Sequence, residues 1–317
     1  MIIRLLILFK IIFLGCAIEQ PYESNSFTNE ENINFDLPNL GSDQTFDIMT
    51  WNIENFPKTN KTSFYLESII NTLNIDLIAL QEITDQNEFN NLISNLNGNW
   101  LGFRSENTSY GELAYLINQD NLTLIQNPYN LTSSYFPDLS SSDFEYIFSY
   151  RAPFVLKINF QNKDYIIINV HYKCCGDGLL ENEISYDEEY RRFQSSKYLK
   201  GFIDSEFNDQ SVIILGDFND NINDDINNNV FIEFINDYNN YYFADTDIAN
   251  GSTSNWSFPT WPSHLDHILI TNELFNSYNN DMIFTFKIDN YIGWNFYETY
   301  ISDHRPVIIR ISEYLNL

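Results

Sequence analysis

The sequence predicts an α/β (α+β) protein in which two mixed β-sheets pack face to face and helices cover the outer faces. Three observations carry this expectation. Aromatic residues are abundant, with 26 Phe and 21 Tyr among 317 residues. Short runs rich in Ile, Val and aromatics read as strands and alternate with segments of helical period. Later in the chain several such runs follow one another with no helix between them, which calls for mixed sheets in two layers.

Residues 46–51 read as the first strand, and Phe64, Leu66, Ile69, Ile70 and Leu73 recur at the spacing of one helix face. Residues 76–81 form a second apolar run, followed by Phe89, Leu92, Ile93 and Leu96 at helical spacing. Further strands are predicted over 113–117, 154–160, 165–170, 212–215, 268–270 and 307–311, and helices over 186–207 and 230–235. The Asn/Asp-rich stretch 220–229 reads as a solvated loop, with a structural Ca²⁺ site as the alternative. One large core accounts for all of this, and no second domain is required.

Ahead of the first strand, Arg4 precedes an apolar stretch from Leu5 to Leu14, broken by Lys10, and then Gly15-Cys16. Residues 1–15 read as a signal peptide, shorter than a membrane-spanning helix. Phe13-Leu14-Gly15-Cys16 resembles the bacterial lipobox, which implies a lipidated Cys16 and a polar, flexible tether over 16–43. The folded domain is then expected over 44–317. The location implied is an exported, membrane-anchored lipoprotein, periplasmic or at the cell surface. Cys174 and Cys175 are adjacent, cannot staple distant segments, and read as free thiols without a catalytic role.

The formal net charge is −28. Nucleic-acid affinity ordinarily rests on Lys and Arg displacing counterions from phosphates, so a uniformly acidic surface repels that substrate. A bound divalent cation or a local group of basic residues reverses the potential where it matters. Arg191, Arg192, Lys197 and Lys200 concentrate positive charge in the helix predicted over 186–207, where a solvated helix face is the plainer reading.

Polar residues interrupt the apolar runs repeatedly at strand ends. Trp51-Asn52-Ile53-Glu54 follows the first strand, Gln81-Glu82 the second, His171 the run at 165–170, and Gly216-Asp217-Phe218-Asn219 the run at 212–215. Asp303-His304 stands just before the last strand. Each alone has a dull explanation, because Asn and Asp favour strand ends and turns and a lone His is usually just hydrogen-bonded. Together they supply oxygen ligands suited to a hard cation and imidazoles suited to proton transfer, without a Cys/His set of the zinc type.

In this setting the chain resembles the endonuclease/exonuclease/phosphatase superfamily, and within it the deoxyribonuclease I-like branch, from about Phe46 to Ile311. The matching elements run in order: Trp51-Asn52, Leu80-Gln81-Glu82, Ser109-Tyr110-Gly111-Glu112, Arg151-Ala152-Pro153-Phe154, Val170-His171, Gly216-Asp217-Phe218-Asn219, Leu265-Asp266-His267-Ile268-Leu269 and Ser302-Asp303-His304-Arg305-Pro306-Val307. The resemblance implies a four-layer sandwich and metal-dependent phosphodiester hydrolysis. It casts Glu82 as principal metal ligand with Asn52, Asp217 and Asp303 beside it, Mg²⁺ as the ion with Mn²⁺ as substitute, and Asn219 as a phosphate-orienting residue. Glu54 is a secondary metal candidate.

The resemblance further implies that His304, oriented by Asp266, is the general base, and that His171, paired with Glu112, assists phosphate binding and leaving-group protonation. Arg151 and Tyr110 are carried over as substrate contacts, while His264 and His267 read as structural or surface residues. The expected activity is that of an exported, monomeric endonuclease acting on DNA, with RNA as a further substrate. The alternatives within the superfamily are a sphingomyelinase-like phospholipid phosphodiesterase or a phosphatase. A third reading is a surface binding protein that keeps the fold without the chemistry.

Overall fold

Side chains alternate across a strand, so a strand apolar on both faces must be covered on both. Every residue from Phe46 to Ile53 and from Val212 to Asp217 is buried. The structure, a computed structural model describing residues 35–106, 112–181 and 184–312, meets this demand with two six-stranded sheets. The expectations for residues 1–15, Cys16 and Tyr110 lie outside the described residues.

In chain order the strands are β1 (Phe46–Phe56), β2 (Leu77–Ile83), β3 (Trp100–Arg104), β4 (Glu112–Asn118), β5 (Thr123–Asn130), β6 (Phe154–Phe160), β7 (Lys163–His171), β8 (Val212–Asp217), β9 (Tyr241–Phe243), β10 (Asp266–Thr271), β11 (Ile283–Thr285) and β12 (Val307–Ile311). One sheet has the order β11-β12-β1-β2-β4-β3, the other β5-β6-β7-β8-β10-β9. Each contains one parallel pair, β1 with β2 and β7 with β8, and the remaining pairs are antiparallel.

Helix α1 (Thr62–Leu73) links the first parallel pair, while the second is linked through a longer helix, Glu188–Glu206. Between them in sequence lie α2 (Gln86–Asn95) and α3 (Ser141–Ile147), which makes the long helix α4. The capping follows the sequence: the Asp85 and Asp187 side chains accept from the first-turn N–H groups of α2 and α4.

The alternation sorts each strand into two rows. One row, including Ile48, Leu77, Tyr115, Leu156, Ile167, Leu215, Ile268 and Ile309, fills the space between the sheets. The opposite row of the second sheet, including Val155, Ile168, Ile214 and Leu269, packs with Leu199, Phe202 and Ile203 of α4. The two-sheet sandwich with outer helices is therefore present as predicted. The strands missing from the sequence reading are mainly edge strands: β3 is half-buried throughout and β5 is largely exposed, so neither carries an apolar run.

Two sequence readings are corrected. Residues 35–43, taken with the tether, lie on the domain. Phe35 meets the rings of Tyr65 and Phe296 edge-on at 6.0 and 5.8 Å, Leu37 is buried, and the N–H groups of Leu40 and Gly41 donate to the Leu73 carbonyl. The polar neighbours of Phe35 and Leu37 had masked two apolar anchors. The arginines of the basic run of α4 are also not on a solvated face, because Arg191 and Arg192 are buried, whereas Lys197 is exposed. Arg191 donates to the Tyr146 carbonyl and Ser149, with its guanidinium 4.0 Å from the Tyr146 ring centre. Arg192 binds Glu189 at 3.1 Å and Asp220 at 2.7 Å.

Gly216, at φ +146° in β8, is enforced by the parallel pairing: a Cβ there meets the Val170 carbonyl oxygen at 1.9 Å. Gly216→Ala is expected to lose about 3 kcal/mol in urea denaturation, and a loss within experimental error refutes this.

At the end of the sheets where β1 begins, Asp76 accepts from the Asp47 N–H at 2.8 Å and from Asn121 at 2.7 Å. Burial raises both carboxyls to about 6, against their hydrogen bonds. A raised carboxyl adds stability that is complete below its ordinary value of 3.8 and disappears as pH rises through about 6. The gain in unfolding free energy from pH 7 to pH 5 is expected to exceed that of Asp76→Asn by roughly 1 kcal/mol. Equal gains in the two proteins contradict the assignment.

Candidate active site

The rows that fill the core become polar at one end of the sandwich. Along β1 the inward row runs Phe46, Ile48, Thr50, Asn52; along β2, Leu77, Ala79, Gln81; along β7, Tyr165, Ile167, Asn169, His171; along β8, Ile213, Leu215, Asp217. On antiparallel β10 the row begins with Asp266 at the same end, opposite Asp217. A first polar layer joins the two sheets. Gln81 Nε2 donates to Asn169 Oδ1 at 2.8 Å and to Thr50 at 3.1 Å. Asn169 Nδ2 donates to the carbonyls of Leu80 and Ala114, and its N–H to the Tyr115 hydroxyl.

Beyond this layer a cavity of about 810 Å³ is lined by Glu82, His171, Asp217, Asn219, Asp303 and His304. Glu82 belongs to the outward parity of β2, yet it reaches the cavity because β2 bulges between Leu80 and Ile83 and Glu82 takes φ 65°. Asn52 Nδ2 donates to both Glu82 Oε1 (3.1 Å) and Asp217 Oδ2 (3.0 Å). The nearest cationic candidates for Asp217 are ring nitrogens of His171 and His304, at 3.6 and 3.9 Å.

The bulge at the end of β1 sends Glu54 toward Asp303: its carboxylate accepts from the Asp303 N–H at 3.1 Å and pairs with Lys58. Burial raises the Glu54 carboxyl, in spite of Lys58. Sequence reasoning overlooked Lys58, whose i,i+4 spacing from Glu54 was a usable signal.

His304 is held from several sides. Its Nδ1 lies 2.7 Å from Asp266 Oδ2 and its N–H donates to Ser302 Oγ, which in turn donates to the Asn52 carbonyl at 2.6 Å. Trp51 Nε1 and the Tyr297 hydroxyl both donate to the His304 carbonyl. Burial opposes charge on this ring, but the Asp266 and Asp217 carboxylates outweigh it and lift His304 to about 10. Asp217 is raised to about 7 by burial, against the pull of His304. His171 moves the other way: burial, aided by the charges of Arg151 and His304, holds it well below its usual range.

Two expected roles are not met in the geometry. His171 Nδ1 is buried without a hydrogen-bond partner, while Glu112 accepts from Ser105 Oγ at 2.8 Å and lies 3.9 Å from Arg104. Parity explains the missing His171–Glu112 bond, since Leu113, Tyr115 and Ile117 form the inward row of β4 and Glu112 is one residue out of step. Arg151 is turned onto backbone, donating to the carbonyls of His171 (3.0 Å) and Tyr172 (2.7 Å). Asn219, at φ 55°, faces the cavity, but its Nδ2 donates to the Tyr172 carbonyl at 3.2 Å.

His264 and His267 are fully buried with Asp245, and the ligand atoms of the three lie within 4.8 Å of one another. The Ser257 N–H donates to His264 Nδ1, so that ring carries its proton on Nε2, 3.0 Å from Asp245. Both nitrogens of His267 face acceptors, Asp245 Oδ2 at 2.6 Å and the Asp220 carbonyl at 2.8 Å, as an imidazolium requires. Burial works against that charge, but Asp245 raises the ring above its ordinary value.

The cavity suits a hard divalent cation. Two carboxylates, Glu82 and Asp217, converge on one amide nitrogen, and Asp217 is wholly buried. The sequence profile of the Endonuclease/Exonuclease/phosphatase family matches residues 49–304. No curated protein sequence matches the chain significantly.

Among solved structures, TDP2 from D. rerio complexed with single strand DNA product has 14% identity and a TM-score of 0.59, over 84% of this chain and 98% of that one. The endonuclease/exonuclease/phosphatase from Bacteroides vulgatus has 15% identity and a TM-score of 0.56, over 84% and 98%. The human Nocturnin catalytic domain with bound sulfate has 14% identity and a TM-score of 0.52, over 85% and 94%. At such identities these structures establish the deoxyribonuclease I-like α/β sandwich, and the profile match across most of the chain assigns its membership: this protein belongs to the endonuclease/exonuclease/phosphatase family.

Proposed function

We propose that this chain is a divalent-metal-dependent phosphodiesterase that cleaves nucleic acid, DNA in preference to RNA, by internal cuts. The observation that carries the reading is the convergence of Glu82 and Asp217 on Asn52, in one cavity with the His304–Asp266 pair. Glu82, Asp217 and Asn52 would hold Mg²⁺ or Mn²⁺, with Asp303 and Glu54 adding negative charge beside them. When bound, the ion supplies neutralisation of the scissile phosphate and of the leaving oxygen.

The remaining work falls to the side chains. Asp266 fixes the His304 tautomer, so that Nε2 faces the cavity and takes a proton from the attacking water. Engaging Asp217 as a ligand withdraws one of the carboxylates that keep this ring protonated. His171, kept uncharged by burial, offers its cavity-facing nitrogen as a hydrogen-bond partner to the phosphate. The D. rerio TDP2 structure with its DNA product supports a nucleic-acid substrate.

The purified protein is expected to degrade DNA with Mg²⁺ or Mn²⁺ and to stop on addition of a chelator. His304→Ala should retain roughly a thousandth of the wild-type kcat. Cleavage of sphingomyelin with no cleavage of single- or double-stranded DNA replaces this reading with the phospholipid one.

The same proposal includes export and anchoring through lipidated Cys16. Membrane fractions should retain the wild type and release Cys16→Ala, and equal retention of both rejects the anchor.

A further inference from the structure

Substrate binding in this protein lacks its ordinary electrostatic source. Nucleic-acid enzymes grip flanking phosphates with Lys and Arg, yet here the arginines are committed to the protein itself. Arg104 donates to the Ile83 carbonyl and Arg151 to those of His171 and Tyr172; Arg191 and Arg192 are buried as described. Arg305 pairs with Asp289 at 2.6 Å, and Arg310 with Asp47 at 3.3 Å. The cavity is also lined by Asp177, Glu189, Asp220, Asp224 and Asp225, of which Glu189 and Asp220 are paired with Arg192, and none of these offers a donor to a phosphate. With the described arginines engaged in this way, contacts that do not depend on charge gain weight in holding the rest of the substrate.

One residue at the cavity offers such a contact. Trp261 lines it and is 78% exposed, more than any other large hydrophobic side chain among the described residues. It sits on a tight reversal closed by reciprocal backbone hydrogen bonds between Phe258 and Ser263, both 3.0 Å. Pro259 and Pro262 restrict the backbone of that turn. Phe258, at its base, packs its ring 4.9 Å from the His304 imidazole. The backbone that carries the indole is thus stiff and anchored against the proposed general base, which lowers the ordering cost of the turn when the ring is covered. Base–aromatic stacking contributes about 1–3 kcal/mol per base and is indifferent to sequence and to net charge.

We propose that Trp261 is a base-stacking subsite for an unpaired nucleobase next to the scissile phosphate, so that the preferred substrates are single-stranded or frayed nucleic acids. A base within a duplex is already stacked on both faces and offers this indole none. The inference deepens the nuclease reading and rests on it.

The test compares the full-length protein with Trp261→Ala and Trp261→Phe on two single-stranded oligonucleotides, one intact and one with base-free sugars flanking a single cleavable phosphate. Wild type is expected to favour the intact strand by about tenfold in kcat/KM, carried by KM. Trp261→Ala should bring that ratio near one, and Trp261→Phe should restore most of it. Circular dichroism and thermal melting control for folding. An unchanged ratio in Trp261→Ala overturns the subsite.

If wild type cleaves no oligonucleotide at all, the nuclease reading falls, and the subsite is decided by binding alone. Quenching of tryptophan emission by a short single strand, lost in Trp261→Phe, sustains it, and equal quenching or none in both proteins overturns it.

Discussion

Along β1, β2, β7, β8 and β10 a single alternation supplies both the core and the site. In β1, β7 and β8 an inward-facing Phe, Tyr or Ile near the start of the strand is locked between two sheets, and four or six residues later the same parity delivers Asn52, His171 or Asp217, while antiparallel β10 runs the other way from Asp266. The transition needs a layer that belongs to neither regime, and Gln81, Asn169, Thr50 and Tyr115 form it. Their mutual hydrogen bonds satisfy most of the amide and hydroxyl groups buried there. This fixes the distance between the sheets just below the cavity, so Asn52 and Glu82 from one sheet meet Asp217 from the other within hydrogen-bonding range. A register slip of one residue in any of these strands turns its contribution out of the site.

The electrostatics then follow from position. Two imidazoles share one wall at the same burial and are driven in opposite directions. His304 faces the Asp266 and Asp217 carboxylates, which outweigh its burial and stabilise it as a cation, whereas His171 loses its charge to burial, helped by Arg151. Different environments acting on one residue type are how a site separates a proton-transferring group from a neutral hydrogen-bonding one. The Trp51 and Tyr297 hydrogen bonds to the His304 carbonyl hold its main chain from behind, so the ring is located by the core as well as by its carboxylate.

Much of this was legible in the sequence because the signals are local. Apolar runs at 154–160 and 307–311 coincide with β6 and β12, and polar residues at the ends of such runs are those the cavity gathers. What was not legible depends on geometry that composition does not encode. Glu112 had the right residue type and wrong parity, while Glu82 had the wrong parity and was rescued by a bulge. Arg191 and Arg192 read as surface charge because their partners, the Tyr146 carbonyl and Asp220, are distant in sequence. Phe35 and Leu37 were lost among polar neighbours, since two anchors make no period.

The arginines connect the acidic composition to function. A chain with 16 basic residues against 44 acidic ones has few cations to distribute, and this fold places its described arginines where they satisfy backbone carbonyls and buried carboxylates. Arginine suits that task because one planar guanidinium donates to several acceptors at once, as Arg192 does to Glu189, Asp220 and the carbonyls of Lys173 and Cys175. The surface that remains is negative, and repels polyanions that come within a Debye length of it. On the proposed nuclease reading, phosphate recognition would then concentrate where a bound cation reverses the field, and discrimination among substrates would pass to uncharged contacts around it.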